Sequence, residues 1–136
     1  MPHSEEWKKN WKKPIIEHNK WTKYNYLVYY PENLMIGNYV DISQMVYIQA
    51  RYGVEIGDEA EIGPFTAILS ESSIDNKKGK VIIKDKAKIG AHSTIMPNVT
   101  IGRNAIVGAH SFVREGTLIN DNETWFGIPA RKKNDN

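Results

Sequence analysis

Polar and apolar positions along residues 81–119 recur every six residues. Ile83, Ile89, Ile95, Ile101, Val107, Val113 and Ile119 hold the aliphatic position. Two residues before each stands something small or β-branched: Val81, Ala87, Ser93, Val99, Ala105, Ser111 and Thr117. Glycine follows three of the aliphatic residues directly, at Gly90, Gly102 and Gly108. A period of six matches neither a helix face, at about 3.6, nor plain strand alternation, at about 2. It predicts short strands with two or three inward side chains, each closed by a corner, wound as a parallel β-helix.

Upstream, the series starts at Ile36 and continues through Ile42 and Ile48. It slips by two residues to Ile56, Ile62, Ile68 and Ile74, then by three more to Ile83. The slips predict loops at Arg51–Gly53 and Asp75–Lys80 that leave an otherwise continuous prism. Corners fall three residues after each aliphatic one, at Asn98, Asn104, Gly116 and Asn122 among others, and these residue types accept the left-handed conformation of a tight corner. Residues 1–33 do not follow the rule. There Ser4 suits an N-cap, Trp7 and Trp11 share a helix face, and Pro14 ends the helix. Trp21–Tyr30 is aromatic and β-prone, and fits a lead-in strand covering the open end of the coil. The expected layout is a lead-in over 1–33 and a β-helical domain over 34–133.

A chain of 136 residues is one domain, and 18 basic against 16 acidic residues leave no nucleic-acid footprint. The absence of cysteine excludes disulfide staples and thiol nucleophiles. No apolar run reaches membrane-spanning length, and the Lys-rich start lacks a signal peptide's apolar core, so a cytoplasmic protein is expected.

The units Ile-Gly-Asp-Glu-Ala-Glu (56–61), Ile-Gly-Pro-Phe-Thr-Ala (62–67), Ile-Gly-Ala-His-Ser-Thr (89–94) and Ile-Gly-Arg-Asn-Ala-Ile (101–106) resemble the hexapeptide repeat of left-handed β-helix acyltransferases. Gly127-Ile128-Pro129-Ala130-Arg131 resembles that family's closing segment. The likeness covers roughly residues 34–133 and is nearest to sugar O- and N-acetyltransferases of surface-polysaccharide pathways. It implies an all-β fold, a left-handed parallel β-helix with a short helical or extended lead-in. It also implies a homotrimer, with acetyl-CoA lying between adjacent prisms and a sugar or nucleotide-sugar acceptor. By the same resemblance, Ala91 and Ala109 line the cofactor and Arg131 binds its phosphates, with Lys132 and Lys133 adding charge. By the same resemblance Arg114 is a further cofactor candidate, although Arg114-Glu115 departs from the Thr-Lys that the family commonly has there.

For catalysis, a sugar hydroxyl needs a general base, whereas a neutral amine attacks with little help. His3 and His18 lie outside the repeat and read as surface residues. His92 and His110 both sit three after an aliphatic residue, one 18-residue turn apart, so they should stack on one edge. Counting back through the loop gives a column Arg51–Glu71–His92–His110, with Glu71 orienting His92 as the base. The galactoside branch carries its histidine where this chain reads Leu69-Ser70-Glu71-Ser72, without one. A non-catalytic scaffold is the alternative of a different class, although charge at Glu55, Glu61, Lys84 and Lys88 speaks against a stacking face. A γ-carbonic-anhydrase-like zinc site would need a third histidine in the repeat, so no metal is expected.

Overall fold

Three columns of aliphatic side chains fill the interior of the molecule. Ile48, Ile68, Ile95 and Val113 form the first, Ile56, Ile83, Ile101 and Ile119 the second, and Ile62, Ile89 and Val107 the third; none is more than 3% exposed. Each such burial contributes about 1.5–3 kcal/mol. Between coils, parallel ladders align like with like: Ile48 opposite Ile68, Ile68 opposite Ile95, and Ile95 opposite Val113. The computed structural model describes residues 1–134. It shows a left-handed parallel β-helix with three flat faces.

Face A holds the strands Leu27–Tyr29, Tyr47–Gln49, Ala67–Leu69, Thr94–Ile95 and Phe112–Val113. Face B holds Leu34–Ile36, Val54–Ile56, Val81–Ile83, Thr100–Ile101 and Leu118–Ile119. Face C holds Asp41–Ile42, Glu61–Ile62, Lys88–Ile89, Ile106–Val107 and Thr124–Gly127, and ends in an antiparallel strand, Ala130–Lys132, that closes the last coil. The chain runs A to B to C and repeats. The expected corners are left-handed, with φ of 61° at Asn98, 57° at Asn104, 76° at Gly116 and 65° at Asn122.

Two boundaries differ from the sequence expectation. Leu27–Tyr29 is already the first rung of face A, so the prism begins ahead of residue 34. Ile74 does not belong to the core series, being 99% exposed. Ile68 and Ile83 are successive core residues on faces A and B, fifteen apart instead of six, so nine residues are inserted at this corner. The insert carries a hairpin in which Glu71–Ser72 pairs with Lys77–Lys78, and Ile74 sits in the turn. An isoleucine at the sixfold position mimicked a core residue inside a loop. The expected Arg51–Gly53 excursion lies at this same corner one coil earlier.

The lead-in folds back onto its own prism. Ser4 caps a helix over Glu5–Asn10 by accepting from the Trp7 N–H, and the helix stops at Trp11, short of Pro14. The Trp11 indole N–H donates to the Val40 carbonyl at 2.9 Å, and Lys8 pairs with Glu59. The two outlying histidines are tethers: His3 Nε2 lies 2.7 Å from the Tyr39 carbonyl oxygen, and His18 Nδ1 accepts from the Tyr30 N–H.

The register correction has a direct thermodynamic check. Ile95→Ala should lower stability by about 2–5 kcal/mol in urea unfolding, whereas Ile74→Ala should stay within about 0.5 kcal/mol of the parent. A loss above about 1 kcal/mol at Ile74 would put it back in the interior.

Candidate active site

Face C carries a trough whose floor only glycine permits. Gly63, Gly90 and Gly108 succeed one another up the coils. A Cβ on Gly63 would lie 2.6 Å from the Ala91 nitrogen, one on Gly90 2.5 Å from the Ala109 nitrogen, and one on Gly108 2.9 Å from the Phe126 Cβ. Buried hydroxyls fix this backbone from inside. Thr66 donates to the Gly90 carbonyl, and Ser93 and Ser111 both donate to that of Gly108. These hydroxyls explain part of the small positions in the repeat. The resulting groove, of about 350 Å³, runs from Gly108 and Ala109 down to Ser43 and Asp41. Three rung spacings of about 4.8 Å make it about 14 Å long.

Beyond Gly108, Phe126 faces Arg131 across the terminal antiparallel pair, so Arg131 extends the same sheet. Lys132 is engaged by Glu123 at 3.0 Å. The Asn120 backbone N–H, then Lys132 and the Trp125 indole, hold the Glu123 carboxyl below its ordinary value. Ala91, Ala109 and Arg131 thus gather on face C and its edge with face A. Arg114 does not join them. It sits at the A/B corner, where its carbonyl accepts from the Thr117 hydroxyl at 2.7 Å.

His92 and His110 stack on the C/A edge, with centroids 4.8 Å apart and planes 3° from parallel. Both have positive φ, as do Phe65 and Met45 at the same corner in earlier coils. Phe65 continues the stack below His92 at 4.7 Å and 9°. The column is therefore Met45–Phe65–His92–His110, and the expected Arg51–Glu71–His92–His110 column is incorrect. Arg51 and Glu71 follow face A, not face C, so they occupy the A/B edge. There Glu71 accepts from the Gln49 amide at 3.0 Å and lies 3.5 Å from Arg51 Nη1. The miscount came from the insert, which hid the switch of face. Among the described residues no carboxylate stacks on His92, and Glu71 does not orient it.

One carboxylate on face C escaped the sequence reading. Asp41 stands on the outward side of its strand, beside Glu61 in the next rung. Glu61 has Lys88 at 3.5 Å and His3 Nδ1 at 3.8 Å, whereas Asp41 forms no side-chain hydrogen bond or ion pair among the described residues. Burial first, and the Glu61 charge second, raise the Asp41 carboxyl above its ordinary value, while His3 pulls it back. Asp41 also lines a second cavity, of about 430 Å³, enclosed by the lead-in and the first coil. Trp7, Trp11, Tyr24 and Tyr26 contribute to its walls. Burial pushes the Tyr26 phenol up, so it remains protonated. Only the fold-back of the lead-in creates this cavity, and the sixfold series holds no signal for it.

No three His, Cys, Asp or Glu residues group as a metal site among the described residues, and no helix there is long and apolar enough to cross a membrane.

Residues 80–115 match the family model described as bacterial transferase hexapeptide (six repeats). The chain is 36% identical over 75 residues to YvoF of Bacillus subtilis (strain 168), matching over 51% of its own length and spanning 44% of that protein's. It is similar to a hexapeptide-repeat-containing acetyltransferase from Vibrio cholerae complexed with acetyl coenzyme A, with TM-score 0.73 and 27% identity over 79% of this chain and 62% of that one. It is also similar to a variant of AntD, an N-acyltransferase from Bacillus cereus in complex with dTDP-4-amino-4,6-dideoxyglucose and coenzyme A; there the TM-score is 0.62, with 31% identity over 82% of this chain and 77% of that one. With its sixfold core, its glycine-floored trough and these likenesses, the chain belongs to the family of bacterial hexapeptide-repeat transferases.

Proposed function

We propose that this protein transfers an acetyl group from acetyl-CoA to an amine-bearing sugar, nucleotide-linked as in the AntD complex, and that it works as a homotrimer. The trough carries this reading: a strip of backbone kept free of Cβ atoms suits an extended pantetheine arm, which has amides of its own to pair. Arg131, at the far end of the same sheet, suits the nucleotide phosphates, with Lys133 two residues further on. Acetyl-CoA supplies an activated acyl group as a thioester. In a trimer, a neighbouring prism covers the trough and keeps water from the thioester.

The arrangement favours an amine over a hydroxyl. A hydroxyl needs a base oriented to deprotonate it, and His92 lies between Phe65 and His110 with no acid on its edge among the described residues. A free amine already presents its lone pair. His92→Ala should therefore keep thiol-release turnover within about tenfold, whereas loss of a general base typically costs about 10²- to 10⁴-fold. A loss in that larger range would restore His92 as the base and point to a hydroxyl acceptor.

Binding is testable without an acceptor. Acetyl-CoA should bind the purified chain in calorimetry, and Arg131→Ala should weaken it about tenfold, the equivalent of one charge-assisted contact of about 1.4 kcal/mol. Absence of heat would support the scaffold alternative. Sedimentation equilibrium should return three times the 15.6 kDa chain mass; a monomer would remove the covering prism.

A further inference from the structure

We infer that the aromatic-walled cavity beneath the lead-in is the acceptor pocket, and that Asp41 at its junction with the trough binds the acceptor's amino group and takes its proton. The inference rests on the acetyl-transfer reading above and adds the place and residue where the amine is received.

Geometry is the first support. Asp41 lines both the cavity and the trough, so a group held by its carboxylate has the sugar space on one side and the cofactor groove on the other. The cavity, at about 430 Å³, falls within the range of about 300–1,000 Å³ usual for small-molecule sites. Its walls combine flat indole and phenol faces with a few polar groups, including Asn10 and the protonated Tyr26. That mixture suits a pyranose, which offers apolar C–H faces and polar edges.

Charge is the second support. The titratable groups facing Asp41 are Glu61 on the next rung and His3 on the lead-in, with Lys88 paired to Glu61 and the Lys8–Glu59 pair nearby. The ammonium groups around this point, Lys8 and Lys88, are thus committed to other carboxylates. A half-buried carboxylate without a cation of its own is a receptor for an ammonium group.

At neutral pH a sugar amine is largely protonated and cannot attack. Asp41 accepts one proton from the ammonium, which frees the nitrogen lone pair. The nitrogen then bonds to the acetyl carbon and the carbon–sulfur bond breaks. The second nitrogen proton passes to the departing thiolate, and Asp41 returns its own to solvent. One amide, one thiol and one proton result, with no other reactant consumed.

Spectroscopy, kinetics and thermal unfolding decide the matter. The chain has four tryptophans, and only Trp7 and Trp11 wall the cavity. In ¹⁵N-resolved spectra, dTDP-4-amino-4,6-dideoxyglucose should shift the indole signals of Trp7 and Trp11 and leave those of Trp21 and Trp125 in place. Asp41→Asn should lower kcat/KM for the amine by about 100-fold or more while acetyl-CoA affinity stays within about twofold. The variant should also unfold at the same or a higher temperature at pH 7. A raised carboxyl favours the folded state below its ordinary range and loses that contribution as pH rises through its raised value, so at pH 7 the neutral amide removes a penalty. A lower Tm would mark Asp41 as structural instead. If acetyl-CoA binds and the amine is acetylated, but Asp41→Asn is unchanged or the Trp7 and Trp11 signals stay still, this inference falls and acetyl transfer stands. If acetyl-CoA does not bind, acetyl transfer falls, and the indole titration still decides whether the cavity takes the sugar.

Discussion

The inter-coil hydrogen-bond ladder is the constraint from which the rest follows. Each rung lies about 4.8 Å from the next because its amides must pair with it. The partners are in register residue by residue, as with Ile89 opposite Ile62 and Val107. Side chains at equivalent positions therefore form columns with no freedom to drift. Aliphatic columns make the core, the glycine column makes the trough, and the imidazoles are brought face to face at ring-stacking distance. What a side chain can do in this molecule is set by which residues share its column or face it from the next.

Electrostatics on the outer surface follows the same rule. Adjacent rungs put like charges side by side, as Asp41 and Glu61 show, and the chain answers with cations from other rungs and from the lead-in. Lys80 pairs with Glu55 and Lys88 with Glu61, while Lys8 reaches Glu59 from the helix. Exposed pairs of this kind are worth at most about 1 kcal/mol each, so they set local charge more than stability. Asp41 stands apart because its neighbour on the next rung is compensated and Asp41, among the described residues, is not.

How much of this could be read from the sequence depends on whether a feature is local or accumulated. The sixfold recurrence and its corners are local, since each Ile or Val and the Asn or Gly three residues on are fixed by one strand and one turn. They were legible from Ile83 to Asn122. Which face a residue occupies is accumulated from every preceding coil, and one ambiguous isoleucine is enough to lose count. Ile74 falls on the sixfold beat without entering the core, which displaces Arg51 and Glu71 by one edge, whereas no insert separates His92 from His110 and their spacing of one turn survives in the stack. The lead-in was harder again. Trp7, Trp11 and Ser4 announce a capped helix, but nothing local to residues 1–26 says where it docks, so the cavity over Asp41 had no sequence signature.

The hairpin at 71–78 shows what a solenoid allows. Ser70 just before it and Val81 three residues after it are fully buried, and the coils above and below keep their register across the corner. Because each coil answers only to the two it touches, extra residues at a corner disturb nothing beyond it. A lineage can thus lengthen, recharge or delete this projection while the column beneath stays intact. The architecture separates the part of the molecule that must be inherited unchanged from the part on which new specificity can be tried.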